Sequence, residues 1–378
     1  GVPRETVAGE TRVALVPESV VKLKKAGYDI LVEKDAGSAS GFADEQYVAD
    51  GARIGTAEEV YSQSDVILKV QKPGEHPSGK HELEMMKKGA LYIGFFFPLS
   101  FPELARKAAE VGINIIAMDA VPRITKAQRM DVLSSQTNLG GYKAVIIAAQ
   151  HLKKIFPLMM TAAGTISPAR VVILGAGVAG LQAIATARRL GAVVEVSDIR
   201  PAVKEQVQSL GAKYIDPPEI EENAEDSGGY AKEASAEFIK RQQEILSEHL
   251  AEADVVITTA QVPGKKAPLL VTADMVKRMR PGSILVDMAA EQGGNCELTR
   301  ANETLDVNGV QIMGVVNLPA QVPFHASQLY SRNVLALIEY FTEEAQLNFP
   351  EEDEIVQGAF IVRDGKIVHD KTRELAEA

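Results

Sequence analysis

With 378 residues, 46% of them hydrophobic and 24% charged, the chain has the balance of an ordinary globular protein and the length of two domains. A net charge of −11 argues against a nucleic-acid partner, and a lone cysteine (Cys296) and six scattered histidines leave no internal disulfide and no metal-ligand spacing. No apolar run reaches the roughly 18–20 residues that a membrane-spanning helix needs, so direct insertion into a bilayer is not expected.

Gly1-Val2-Pro3 reads as the end of a strand, so further residues are expected ahead of it. Glu18 to Ala26 follows as a helix, with Pro17 before it and Gly27 where a C-terminal cap belongs. Tyr28 to Val32 reads as a strand, Ala57 to Ser62 as a short helix and Val66 to Val70 as an apolar strand. Leu91 to Phe97 is a further apolar run, Pro102 to Val111 a helix and Ile113 to Ala117 a strand. Near-continuous apolar strands that alternate with helices predict a parallel sheet covered on both faces.

A second series begins after Pro168, with strands expected at Val171–Leu174, Val193–Ser197, Val255–Thr258, Ile284–Asp287 and Ile312–Val316. Helical stripes run over Gly141 to Lys154 and Gln328 to Phe341. Either stripe can carry the chain from one domain to the other, and periodicity equally allows both to be surface helices of one domain. The acidic stretch Asp216 to Gly229 reads as a mobile loop, and Asp364-Gly365 between alternating apolar residues predicts a C-terminal hairpin over Phe360 to Val368. The predicted fold is therefore α/β, with two doubly wound parallel-sheet domains and a C-terminal β-hairpin. The first domain takes residues 1–125 and 336–378, and the second, 126–335, is a Rossmann dinucleotide-binding domain.

The chemistry centres on Gly175-Ala176-Gly177-Val178-Ala179-Gly180, a G-x-G-x-x-G run between a predicted strand and a predicted helix. Gly175 permits the tight turn, Gly177 lets backbone approach a pyrophosphate, and Gly180 lets helix and strand pack closely. The phosphates would meet the helix N-terminus, where N–H groups and the dipole favour negative charge. Asp198 follows the second strand, 21 residues after Gly177, where a carboxylate accepts from ribose hydroxyls and repels a 2′-phosphate; this favours NAD over NADP. Ile199 and Arg200 complete this stretch, and an arginine so placed is also able to hold a 2′-phosphate. The alternative is that Asp198 only caps a turn and Arg200 is a solvated charge. Arg123, Gln128, Asp131 and Ser134 lie in a polar stretch joining the two series. They are candidates for holding the nicotinamide end at an interdomain cleft, or are merely linker and capping groups.

That stretch also carries a resemblance. Pro122-Arg123-Ile124-Thr125-Lys126-Ala127-Gln128, continuing through Asp131-Val132-Leu133-Ser134-Ser135-Gln136, resembles the Arg–Gln–Asp loop of the NAD(H)-binding component of proton-translocating nicotinamide nucleotide transhydrogenase. Arg4-Glu5 with Glu10-Thr11-Arg12-Val13-Ala14, Met160 to Thr165, and Gly228-Gly229-Tyr230-Ala231-Lys232-Glu233 are similar to the same family. So are Thr258-Thr259-Ala260 with Pro263-Gly264-Lys265, and Glu291 to Asn295. The resemblance implies a homodimer without membrane spans, held at the cytoplasmic face of the cell membrane by a transmembrane subunit. It implies hydride transfer from NADH to NADP(H) on a partner component, coupled to proton movement. In that family reading Arg123 and Ser134 orient the carboxamide, Asp131 supports Arg123 and Gln128 reaches towards the partner nucleotide. Tyr230 closes over NAD(H), while Gly229, Gln242, Ala260 and Gln261 line the adenosine side. Gln261 stands where the family pattern has leucine.

Two rival readings remain. Alanine dehydrogenase shares much of the pattern, and Arg12 and Lys69 match its keto-acid-binding arginine and lysine. Its acid–base histidine falls in Phe95-Phe96-Phe97-Pro98, with Phe97 closest, while His76 and His81 sit in a polar loop and read as surface groups. Without that histidine, Arg12 and Lys69 are expected to serve an internal ion-pair network. The other rival is a non-enzymatic NAD(H)-sensing module, which fold alone does not exclude.

Overall fold

The computed structural model describes residues 1–218, 236–262 and 264–377. They divide into two compact units: Gly1–Gln136 with Pro319–Ala378, and Thr137–Leu318.

In the first unit, Val66–Leu68, Leu91–Gly94 and Asn114–Ala117 form a parallel ladder, in register from Val66 against Leu91 and from Leu91 against Asn114. The C-terminal hairpin, Phe360–Arg363 with Lys366–Ile367, adds antiparallel to the edge of Asn114–Ala117. Asp364 (φ +48°) and Gly365 (φ +74°) make its left-handed turn, as the Asp-Gly pair predicts. One face of this sheet packs with Val20, Leu23, Tyr330, Val334 and Ile355, and the other with Val60, Tyr61, Leu104 and Ala108. The helices obey their end signals: Pro102 opens Pro102–Val111, Gly112 (φ +76°) closes it, and a Thr56–Glu59 capping box opens Ala57–Gln63.

Three boundaries differ from the sequence reading. Leu31–Glu33, expected in the main ladder, pairs instead with Arg53–Gly55 as a separate parallel ribbon. The apolar run after Leu91 leaves the sheet at Gly94, because the Asp119 carboxylate takes the N–H groups of Phe96 (2.7 Å) and Phe97 (3.0 Å) and Phe97 turns left-handed at φ +51°. The helix expected from Gly141 begins at Val132. Its N-terminus is set by Asp131, whose carboxylate accepts from Ser134 N (2.8 Å) and Oγ (2.6 Å).

In the second unit, among the described residues, seven strands lie in the order Lys213–Tyr214, Val193–Ser197, Arg170–Leu174, Val255–Thr258, Ile284–Asp287, Val310–Gly314, Thr304–Val307. All neighbours are parallel except the last pair, which is antiparallel. Helix residues Ala144, Ala148, Ala183, Ile184 and Val207 cover one face, and Leu246, Leu250, Met275 and Val276 the other. Chain order reverses between Arg170–Leu174 and Val255–Thr258. Ligands of open α/β sheets bind at the carboxyl ends of the strands beside such a switch point. The strand expected at Ile312–Val316 starts two residues earlier, because Asn308 (φ +55°) and Gly309 (φ +81°) turn it back on Thr304–Val307.

Candidate dinucleotide-binding site

Gly175 leaves the central strand with φ +104°, a conformation that strains any residue with a Cβ, and its N–H donates to Ser197 O at 2.8 Å. Helix Val178–Arg189 starts directly behind the turn. A Cβ on Gly180 would stand 1.9 Å from Gly175 O, so only glycine lets the helix return so close to the strand. Gly141, on the neighbouring helix, meets the same helix start: a Cβ there would lie 2.1 Å from Ala179 O. Gly177 is the opposite case. It has ordinary extended geometry (φ −73°, ψ −169°), and a Cβ would meet nothing within 4 Å. Three glycines therefore serve two purposes: Gly175 and Gly180 close the turn, and Gly177 leaves bare backbone facing open space. The first turn of a helix leaves N–H groups without intrahelical partners. Space, backbone donors and helix dipole together fit a pyrophosphate.

The switch-point neighbour completes the rim. Thr259 donates from N to Leu174 O (2.8 Å) and from Oγ1 to Gly175 O (3.1 Å). Ala260 is clasped by the fully buried Asn295, whose Oδ1 accepts from Ala260 N (3.0 Å) and whose Nδ2 donates to Ala260 O (2.9 Å) and Pro268 O (2.8 Å). Asn295 is itself held through its N–H by the buried Asp287 carboxylate at 2.8 Å. In the sequence Asn295 stands out only as the end of a family motif; its position after a strand ending in Asp287 is the signal that points to this role. Gln261 Nε2 donates to Met288 O (2.8 Å), so its side chain is held on its own loop. Gln242 is buried on helix Ala236–Ala251. Gly229 and Tyr230 lie outside the described residues, as does the acidic stretch from residue 219 onward.

Asp198 is buried (8% exposed), and its Oδ2 accepts from Ala176 N at 2.7 Å, which places the carboxylate at the lip of the glycine turn. Arg200 is not a solvated charge. Its side chain is 17% exposed and forks onto Asp198, from Nε to Oδ1 (2.9 Å) and from Nη2 to Oδ2 (2.8 Å). Ile199 lies half-buried between them.

In the first unit, Arg123 and Gln128 are exposed, and Asp131 and Ser134 are half-buried at the helix start they cap. The same unit holds a dry charge cluster. Arg12 Nε and Nη2 fork onto Glu10 (2.8 and 2.6 Å), and its Nη1 donates to Gln136 Oε1 (2.8 Å). Lys69 is fully buried, with Nζ 2.5 Å from Glu82 Oε1 and 3.5 Å from Glu5 Oε2. Tyr61 OH (2.9 Å) and Gly74 N (3.0 Å) also donate to Glu82. Burial works against the Lys69 charge, but Glu5 and Glu82 outweigh it and raise its pKa. Burial pushes the Glu5 carboxyl up to about 7 against the pull of Lys69. Glu10 goes the other way: burial would raise it, and the hydrogen bonds and charge of Arg12 bring it to about 2. The expected internal ion-pair network is thus present. Phe97 stacks on Phe95 (centroids 5.4 Å apart), and burial raises the Asp119 carboxyl beneath it to about 6. His76 and His81 are half-buried, and each makes a local turn contact: Nδ1 of His76 with Ser78, and Nδ1 of His81 accepting from Leu83 N.

Among the described residues, no group of three or more His, Cys, Asp or Glu could hold a metal ion, and no helix is long and apolar enough to cross a membrane. Fold and turn together define a two-unit α/β protein with a Rossmann-type dinucleotide domain. The family model "Alanine dehydrogenase/PNT, N-terminal domain" matches residues 1–140, and "Alanine dehydrogenase/PNT, C-terminal domain" matches 144–370. The chain belongs to the alanine dehydrogenase/PNT family. It is 46% identical over 376 residues to the first portion of NAD(P) transhydrogenase subunit alpha of Rickettsia prowazekii, a separate chain, covering 99% of this chain and 97% of the relative. The crystal structure of transhydrogenase from Sinorhizobium meliloti is 43% identical with a TM-score of 0.87, over 97% of this chain and 99% of that one. An L-alanine dehydrogenase structure is 28% identical with a TM-score of 0.81, over 99% of this chain and 98% of that one.

Proposed function

We propose that this chain is the NAD(H)-binding component of a proton-translocating transhydrogenase, passing a hydride between NADH and NADP held on a partner component. The observation that carries the reading is the 46% identity to a transhydrogenase alpha subunit along 99% of the chain. Two features of the first unit support it over keto-acid reduction. Phe97 stands where an acid–base histidine is needed. Lys69, the cation that would bind a keto-acid carboxylate, is committed to Glu5 and Glu82.

The bound nicotinamide supplies the redox chemistry. This chain binds and orients. The backbone of Gly175, Ala176, Gly177, Val178, Ala179 and Gly180 takes the pyrophosphate, Asp198 with Ile199 and Arg200 meets the adenosine ribose, and Gln242, Ala260 and Gln261 line the adenosine side. Arg123 and Ser134 hold the carboxamide, steadied by Asp131, and Gln128 faces the partner nucleotide. Gly229 and Tyr230 belong to the segment that closes over the cofactor. Transfer then asks for donor and acceptor carbons aligned about 3–3.5 Å apart, with no proton moved by this chain. In this reading the chain works as a homodimer, at the inner face of the cell membrane, with a transmembrane subunit carrying the proton path. Its functional domains are 1–125 with 336–378, and 126–335.

The test is NADH oxidation in two arms. One contains a purified NADP-binding transhydrogenase component and an NADP analogue with shifted absorbance; the other contains pyruvate and ammonia. Transfer in the first arm alone is expected. Oxidation in the second would replace the proposal with an amino-acid dehydrogenase, and NADH binding with no turnover in either would leave a sensing module.

A further inference from the structure

An ionised carboxylate offers about four good acceptor directions, two on each oxygen. Asp198 has all four filled. Oδ2 accepts from Ala176 N (2.7 Å) and Arg200 Nη2 (2.8 Å), and Oδ1 from Arg200 N (2.9 Å) and Arg200 Nε (2.9 Å). Two of these donors are backbone groups of the turns that flank the cofactor site. The other two belong to one side chain, and they take one direction on each oxygen. A ribose has two adjacent hydroxyls and needs that same pair of directions. Asp198 itself is not free to turn elsewhere: Ala176 N holds its carboxylate, and Tyr214 OH holds its carbonyl at 2.5 Å. The Arg200 guanidinium, at the end of a flexible stem, is the member able to leave.

We propose that Arg200 is a latch on Asp198 which the adenosine ribose of NAD(H) must displace, so that Arg200 weakens NAD(H) binding and sets how sharply the site separates NAD(H) from NADP(H). This rests on the dinucleotide reading of the glycine turn. While the fork is closed, the guanidinium neutralises the carboxylate whose charge would repel a 2′-phosphate. Once opened, the fork leaves that guanidinium at the ribose edge, where a 2′-phosphate would attract it. Both effects blunt discrimination. Removing the guanidinium therefore frees two acceptor directions for ribose and exposes the full repulsion of Asp198. A partly exposed ion pair is worth little, so the gain in NADH affinity is about three- to tenfold.

The experiment titrates NADH and NADPH into the full-length chain and its variants Arg200→Met, Arg200→Gln, Asp198→Asn and the double Asp198→Asn/Arg200→Met, each checked for folding by circular dichroism. The two Arg200 variants are expected to bind NADH about three- to tenfold more tightly and to widen the ratio of NADPH to NADH dissociation constants. In the Asp198→Asn background the Arg200→Met gain should vanish, because only competition for Asp198 produces it. Unchanged or weaker NADH binding by both Arg200 variants overturns the latch while the dinucleotide site stands, and so does an equal gain in the Asp198→Asn background. Failure of the unmodified chain to bind either nucleotide overturns the dinucleotide reading and the latch with it.

Discussion

Gly177→Ala separates what the glycine turn does for the fold from what it does for a ligand. The substitution adds one methyl group at a residue whose φ of −73° suits alanine, in a place where a Cβ touches no protein atom within 4 Å. Nothing in the folded protein resists it, and losing a glycine narrows the unfolded ensemble, so stability should hold or rise by about 0.4–1 kcal/mol. The methyl instead occupies the space through which a pyrophosphate would reach the backbone. A phosphate oxygen kept off by one methyl group loses backbone donors at the helix start, and the expected cost is at least tenfold in NADH affinity, about 1.4 kcal/mol. Urea unfolding measures the first quantity and NADH titration the second. A Gly177→Ala protein that binds NADH like its parent would refute the placement of the pyrophosphate.

Other substitutions probe the packing behind that surface. Gly141→Ala forces a Cβ to 2.1 Å from Ala179 O, so two helices must separate by about 1 Å; stability should fall by about 1–3 kcal/mol and NADH affinity with it, and equal unfolding midpoints for variant and parent would show that the helices have room. Asn295→Leu leaves the N–H and C=O of Ala260 and the carbonyl of Pro268 without their partner, at about 2–4 kcal/mol; Asn295→Asp keeps one of those three bonds and should fall between, as thermal melting will show. For pH, the sign follows from Glu5, whose folded pKa of about 7 lies above its unfolded 4.5. Its contribution is complete below about pH 4.5 and is lost as pH rises through 7, by roughly 3 kcal/mol. Asp119, raised to about 6, acts in the same direction at lower pH, so the loss between pH 6 and 7 reports mainly on Glu5. Urea midpoints across that interval should fall for the parent and stay flatter in Glu5→Gln; parallel slopes would remove Glu5 from the account.

The second unit is the more legible in sequence, because its signals are local. Strand Val193–Ser197 and strand Val255–Thr258 are where apolar continuity puts them, and the glycine turn shows its spacing and its flanking elements in one short stretch. Asn308-Gly309 carries an equally local hairpin signal, and apolar continuity alone, without it, misplaces the following strand by two residues. What stays hidden depends on partners distant in sequence. Leu91 to Phe97 reads as one strand because the run is uniformly apolar, yet Asp119 ends it by capturing the N–H groups of Phe96 and Phe97. Asp131 reads as a ligand candidate, while its local effect, starting a helix nine residues before its apolar stripe, does not show in the periodicity. Arg200 reads as either a phosphate ligand or a surface charge, and its position on Asp198 is a third arrangement that neither spacing nor periodicity expresses.

The buried charges of the first unit explain how a fold shared with alanine dehydrogenases loses its hold on a keto acid without losing the residues. Arg12 and Lys69 supply two positive charges, and Glu5, Glu10 and Glu82 supply three carboxyls around them. Glu10 stays ionised down to about pH 2 beside Arg12. Glu5 gives up its proton only near pH 7, which is how the cluster comes close to balance in a dry interior. A substrate carboxylate entering here would add a negative charge to a site that already keeps a proton in order to limit its own. It would also have to displace Glu82 from Lys69, from Tyr61 OH and from the N–H of Gly74. Breaking a buried pair in this way leaves an uncompensated charge, at about 3–5 kcal/mol, more than a small keto acid recovers from two cations already shared. The same commitment makes the cluster a rigid brace. Through Arg12 and Gln136 it ties the N-terminal segment to the first turn of the helix that Asp131 caps, and so fixes the base from which Arg123 and Gln128 project.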